Sequence, residues 1–189
     1  MDKPKKIMVI RHAEKPEPNS TTIGTGVTYN GSSTPESLAV QGWQRAGGLS
    51  CLFAPAHGPL QNSELATPQI LYASGIGLKS KSMRPQETLT PLSLKNNIAI
   101  NTDYLKDEYP AMITAVLASG VNKVLVCWEH QDIPAIANQI LGNKIAPQTW
   151  PGDRFDVVWV FDWHSEKNEY TFHQICQNLI VGDFPYPIS

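Results

Sequence analysis

Four short apolar runs, Lys6–Ile10, Gln69–Ala73, Ile98–Asn101 and Val124–Trp128, alternate with helical periodicity along the first 140 residues. Runs of this length bounded by polar turns read as buried strands. The helical stretches between them are Val40–Phe53, a segment from Met83 or Arg84 to about Ser93, Glu108–Ala118 and Ile133–Leu141. Strand–helix alternation implies a mainly parallel sheet covered on both faces, a three-layer α/β/α sandwich. Asp156–Phe161 and Glu169–Phe172 flank the polar turn Ser165–Asn168 and predict an antiparallel C-terminal hairpin. No repeat and no boundary interrupts the pattern, so residues 1–189 read as one α/β domain.

Some local signals cut across this reading. Gly42, Gly47 and Gly48 weaken the first helix, since glycine costs about 1 kcal/mol in a helix interior. Ser82 is a candidate cap for the second helix, with Pro85 suited to its first turn, and Asp132 with Pro134 offers the same arrangement for the fourth. The chain carries 13 Gly and 15 Pro, which places much of its length in loops. The longest is Ala13–Glu36, and loops of that size in compact domains usually serve a function or are disordered.

Charge and composition exclude several classes. Fifteen Lys and Arg against 17 Asp and Glu give a net charge of −2, with no basic field of the kind a nucleic-acid binder needs. No stretch approaches the roughly 20 apolar residues of a membrane span, and the N-terminal run is too short for a signal peptide. Three separated cysteines, Cys51, Cys127 and Cys176, fit reduced thiols in the core of a cytoplasmic protein. The tryptophans Trp128, Trp150, Trp159 and Trp163 read as packing residues before they read as pocket walls.

In open α/β sheets, ligands bind beyond the carboxyl ends of the strands. Arg11-His12, the segment from Ser74 to Arg84, and Glu129-His130 all fall there. Each alone has a bland reading: a strand-end histidine satisfied by its neighbours, or a solvent-facing arginine. An arginine opening a helix opposes the helix dipole unless both hold an anion. Two arginines and two histidines at three strand ends suit a phosphate site with a nucleophilic imidazole.

The same residues resemble a known family. Arg11-His12-Ala13-Glu14 is similar to the RHG-type signature of the histidine phosphatase superfamily, which is phosphoglycerate mutase-like. Leu38 to Ala46 resembles the LTxxGxxQA helix that follows it. Tyr72-Ala73-Ser74 with Ser82 to Thr88 resembles the second-arginine segment, and Val124 to His130 the strand that ends in the second histidine. With Trp-Glu-His and the late Trp150 to Phe155 segment, the chain resembles a bacterial and fungal subgroup. Ala13, Ala39 and Pro85 depart from the family pattern, and none removes a charged or imidazole group.

The resemblance implies a phosphatase acting on a small phosphorylated substrate. His12 would attack phosphorus and form a phosphohistidine, with a backbone carbonyl holding its other ring N–H. Arg11, Arg84 and His130 would bind the phosphate, and no metal or organic cofactor is required. Asp107 or Glu108 resembles the acid of one branch and Asp132, doubling as a helix cap, that of another; Glu14 and Glu129 are further candidates. Lys15, Lys79 and Lys81 would meet a second anionic group or remain solvated. The alternatives are a phosphoglycerate mutase-type phosphotransferase, a non-catalytic phosphate-binding module on the same fold, and a zinc deaminase. The last has its HxE half in His12-Ala13-Glu14 but lacks the PCxxC half. The leaving group and the oligomeric state are not specified by these residues.

Overall fold

The computed structural model describes residues 2–17, 25–78 and 80–189. Six strands form one sheet: β1 (Lys6–Arg11), β2 (Ile70–Ala73), β3 (Ile100–Asn101), β4 (Lys123–Trp128), β5 (Val157–His164) and β6 (Glu169–Cys176). Their order is β3-β2-β4-β1-β5-β6. β1 pairs parallel with β4, and β2 parallel with both β4 and β3. β5 and β6 add the antiparallel hairpin to the other side of β1. The helices are α1 (Val40–Phe53), α2 (Arg84–Asn96), α3 (Tyr109–Leu117) and α4 (Ile133–Leu141), with a short 3-10 turn at Lys106–Glu108 before α3.

The strand sequences explain the layering. Successive residues of a strand face opposite sides of the sheet. Ile7, Val9, Val124, Val126 and Trp128 point to one face and pack with Met112, Ile113 and Val116 of α3 and Ile133, Ile136 and Ala137 of α4. Met8, Ile10, Leu125 and Cys127 point to the other, against Leu49, Leu52 and Phe53 of α1 and Leu89 and Leu92 of α2. A sheet buried on both faces needs continuous apolar runs, and β1 and β4 supply them. Among the described residues no helix is long and apolar enough to cross a membrane.

Three differences from the sequence reading have physical causes. The hairpin strands run eight residues each, beyond the apolar stretches, because their outer ends alternate polar residues such as Asp162, His164, Thr171 and His173 while the ladder continues. Neither predicted cap bonds its helix. Met83, not Ser82, occupies the cap position of α2, and both Met83 and Asp132 have right-handed helical backbone. A capping side chain needs an extended backbone to reach the first free N–H groups. Cys51 lies exposed and Cys176 half-buried, so only Cys127 is fully enclosed in the core. The tryptophans do pack: Trp128, Trp150 and Trp159 are buried, and Trp163 lies partly buried against the same core with Lys3 4.2 Å over its ring.

Candidate active site

β1 ends at Arg11, paired with Trp128 at the end of β4. The His12 N–H donates to the Trp128 carbonyl (3.1 Å), so the ladder carries the imidazole to the sheet's carboxyl edge. His12 is 5% exposed. Its Nδ1 lies 2.7 Å from the Ala13 carbonyl, an acceptor only, so Nδ1 carries the proton and Nε2 presents a lone pair. Burial pushes the His12 pKa down to about 3, and the positive fields of Arg11, Arg84 and His130 push the same way. The imidazole is neutral across the physiological range.

A cavity of about 180 Å³ opens over this ring, lined by Arg11, His12, Lys15, Ser80, Ser82, Arg84, Lys106, Glu129, His130 and Gln131. The structure brings the four predicted core residues, Arg11, His12, Arg84 and His130, to one hollow. Burial lowers the His130 pKa to about 4, with Arg11, Lys15 and Lys106 adding to the effect. Arg11, Lys15, Arg84 and Lys106 line the cavity with a single described carboxyl group, Glu129, which suits an anion.

Arg11 is held by the segment 151–155. Its Nη1 donates to the carbonyls of Gly152 (2.8 Å) and Arg154 (2.9 Å), and its guanidinium stacks 3.7 Å from the Phe155 ring centre. Burial brings its pKa down to about 10, still cationic at neutral pH. Its buried Nε has no protein partner. Arg84 shows the same division: Nη1 donates to the Pro35 carbonyl (2.9 Å) and Nε is left unpaired. Buried donors without partners are rare and call for an explanation. A ligand oxygen in the cavity supplies one. The Ser82 hydroxyl is a third orphan on the same wall, which accounts for a serine here that caps nothing.

The first turn of α2 locks the surrounding loops. The Gln86 amide donates to the Ser74 carbonyl (3.1 Å). Glu87 accepts from the Ser37 hydroxyl and the Leu38 N–H (both 2.8 Å). Thr88 accepts from the Ala13 N–H (2.8 Å) and donates to the Arg84 carbonyl (2.7 Å). On the other side Glu14 pairs with Arg45 of α1 (2.8 Å), which also holds Asp183 (2.6 Å) and Gln177 (2.9 Å). Glu14 therefore orients the loop. Gly42 lets α1 approach it: a Cβ there would lie 2.5 Å from the Glu14 carbonyl oxygen.

The remaining candidates are placed apart. Asp107, Glu108 and Asp132 do not line the cavity. Asp107 borders a small adjoining crevice with Gly75 and Leu105, which shares Ser80 and Lys106 with the cavity. Glu108 accepts from the Leu105 N–H (2.8 Å) and closes the 3-10 turn. Asp132 leaves its buried Oδ2 unpaired, and its pKa is raised by burial and by Asp107 against the pull of Lys106. Lys15 lines the cavity and also a neighbouring hollow of about 310 Å³ beside Phe155 and Asp153. Lys81 is exposed and off the lining, and Lys79 lies outside the described residues. Ser80, Lys106 and Gln131 escaped the sequence reading. Their common signal is position, each just beyond a strand that already carries a candidate. Among the described residues no three His, Cys, Asp or Glu side chains converge as metal ligands would.

No protein-family model and no curated protein matches the sequence. Solved structures do match the fold. The alpha-ribazole phosphatase from Shigella flexneri aligns with a TM-score of 0.56 at 11% identity, covering 94% of this chain and 98% of that one. A candidate alpha-ribazole-5'-P phosphatase from Escherichia coli aligns at 0.58 and 10%, covering 92% and 96%. The protein histidine phosphatase SixA, solved with tungstate, aligns at 0.53 and 13%, covering 91% and 97%. The mixed sheet with its antiparallel hairpin, and these matches over nearly the whole chain, give it the phosphoglycerate mutase-like α/β fold that these solved phosphatases share.

Proposed function

We propose that this chain is a phosphatase that hydrolyses a phosphate monoester through a phosphohistidine on His12. The observation that carries the reading is the His12 ring itself. It is buried and neutral, with Nδ1 tied to the Ala13 carbonyl, Nε2 left with its lone pair, and the residue lining one cavity with Arg11, Arg84 and His130. A nucleophilic imidazole needs that tautomer, and phosphoryl transfer needs fixed cations around the transferring oxygens. The unpaired Nε atoms of Arg11 and Arg84 supply donors at fixed positions.

His12 Nε2 attacks phosphorus as the bond to the leaving oxygen breaks. Arg11, Arg84 and the His130 imidazole hold the non-bridging oxygens. Water then attacks the phosphohistidine, releases inorganic phosphate and returns the electron pair to Nε2. The neighbours' phosphatase names agree with this class of reaction. The test is a panel of phosphate monoesters assayed with wild type and His12→Ala, with detection of phosphoryl label on His12. We expect hydrolysis of at least one ester by wild type, a loss of about 10³-fold or more in the variant, and label on His12 alone. No activity above the variant on any ester would overturn the proposal. Transfer of the label to added phosphoglycerate in place of water would make the chain a mutase.

A further inference from the structure

We infer that Glu129, and not Asp107, Glu108 or Asp132, is the proton donor to the leaving-group oxygen; this rests on the phosphoryl-transfer reading above. Leaving alkoxides need a proton as the P–O bond breaks, and the donor must reach the reacting centre. Among the described residues, Glu129 is the one carboxyl group on the cavity that holds His12, Arg84 and His130. It stands one residue past the end of β4 and is 6% exposed. The Ser74 hydroxyl donates to Oε1 (3.0 Å), which fixes the plane of the carboxyl group. Ser74 is itself held through its carbonyl by Gln86. Oε2 is buried and has no protein partner. A buried carboxyl oxygen left unpaired beside two arginines that also leave a donor unpaired points to a shared ligand.

The other acids are otherwise placed. Glu108 is occupied by the Leu105 N–H, Asp107 lines an adjoining crevice that meets the cavity at Ser80 and Lys106 but not the cavity itself, Asp132 also leaves a buried oxygen unpaired but is off the lining, and Glu14 is paired with Arg45. Burial raises the Glu129 pKa above its ordinary value. The Ser74 hydrogen bond and Lys106 oppose that shift, and Asp132 adds to it. An acid with a raised pKa retains its proton closer to neutrality.

Nε2 of His12 forms a bond to phosphorus while the P–O bond to the leaving group breaks and its electron pair passes to that oxygen. The proton on Glu129 Oε2 transfers to the same oxygen, which gives an alcohol and a carboxylate. In the second half the carboxylate takes a proton from the attacking water, phosphate departs, and Glu129 is protonated again.

The test compares kcat on phenyl phosphate, whose leaving group needs protonation, with kcat on 4-nitrophenyl phosphate, whose leaving group departs more readily as an anion. Wild type, Glu129→Gln, Asp132→Asn, Asp107→Asn and Glu108→Gln are assayed in parallel across pH. Glu129→Gln is expected to lose about 10²–10⁴-fold on phenyl phosphate and far less on 4-nitrophenyl phosphate, and to lose the alkaline fall of the wild-type phenyl phosphate profile. Ser74→Ala keeps the carboxyl group but removes a bond to its charged form, so that alkaline limb should move to higher pH. This second variant carries the test if Glu129→Gln does not fold. Equal loss on both esters, no loss on either, or selective loss in one of the other three acid variants would overturn the assignment. If wild type cleaves neither ester and takes no label on His12, the phosphatase reading fails instead, and the assignment with it.

Discussion

His12 links the chemistry of the site to the stability of the fold, and the link can be measured. In the unfolded chain its imidazole titrates near the ordinary value of about 6.5, whereas in the folded protein burial brings it to about 3. Between those values the unfolded chain binds a proton that the folded chain refuses. Unfolding is then favoured as the pH falls, and stability rises with pH. The His12 contribution is complete above about pH 6.5, declines by about 1.4 kcal/mol per unit below it, and levels off below about 3. From pH 7 to pH 4 the loss comes to about 3 kcal/mol, a large part of a typical domain's 5–15 kcal/mol.

The perturbation is His12→Asn, whose amide can still donate to the Ala13 carbonyl but does not titrate. Urea unfolding of both proteins at half-unit intervals from pH 7 to pH 4 gives two stability curves. Glu129 and Asp132, whose pKa values are raised, work in the opposite sense: the folded chain takes their protons first, and they add stability as the pH falls. They are present in both proteins, so the difference between the curves isolates His12. Wild-type stability relative to the variant should fall by about 3 kcal/mol across the range. Curves that stay parallel within about 1 kcal/mol would refute the claim that His12 is held neutral by its surroundings.

Two further outcomes follow from the packing around His12. Arg45→Met should cost about 3–5 kcal/mol, because it strands Glu14 and Asp183, whose carboxylates Arg45 now holds at 2.8 and 2.6 Å. A loss below about 1 kcal/mol in chemical denaturation would show that water replaces the pairing. Gly42→Ala and Gly47→Ala should act in opposite directions. The first drives a methyl group against the Glu14 carbonyl and should cost about 1–3 kcal/mol and displace the His12 loop. The second meets nothing within 4 Å and should add up to about 1 kcal/mol of helix propensity. Thermal unfolding of the pair checks both signs.

Periodicity and composition were enough for the layers of the sheet, the helix positions and the order of the motifs. Apolar runs in β1 and β4 can be satisfied only by burial on both faces, and that requirement is local. The same is true of Arg11, His12, Arg84 and His130, which stand at ends of elements that the pattern already defines. The acid is different. Asp107, Glu108, Asp132 and Glu129 are indistinguishable as letters, and family spacing favoured the first three. Their surroundings separate them: a backbone N–H occupies Glu108, Asp132 leaves a buried oxygen unpaired but lies off the cavity, and Glu129 leaves one unpaired on the cavity wall.

Ser82 and Asp132 had cap-forming sequences, yet the backbone at Asp132, and at Met83 in the cap position of α2, is already helical, so propensity gave way to the path of the loop. Glycines that weakened α1 on propensity include Gly42, whose missing side chain admits the loop that follows β1. The cradle of Arg11 is assembled from carbonyls 140 residues away in sequence. The amino-acid pattern by itself determined which elements form and which edge of the sheet carries the chemistry, because burial and periodicity act over a few residues. Only the tertiary structure decided which charges are paired, which donors are left open and which carboxyl group shares a cavity with His12, because those depend on the distance between segments far apart in the chain.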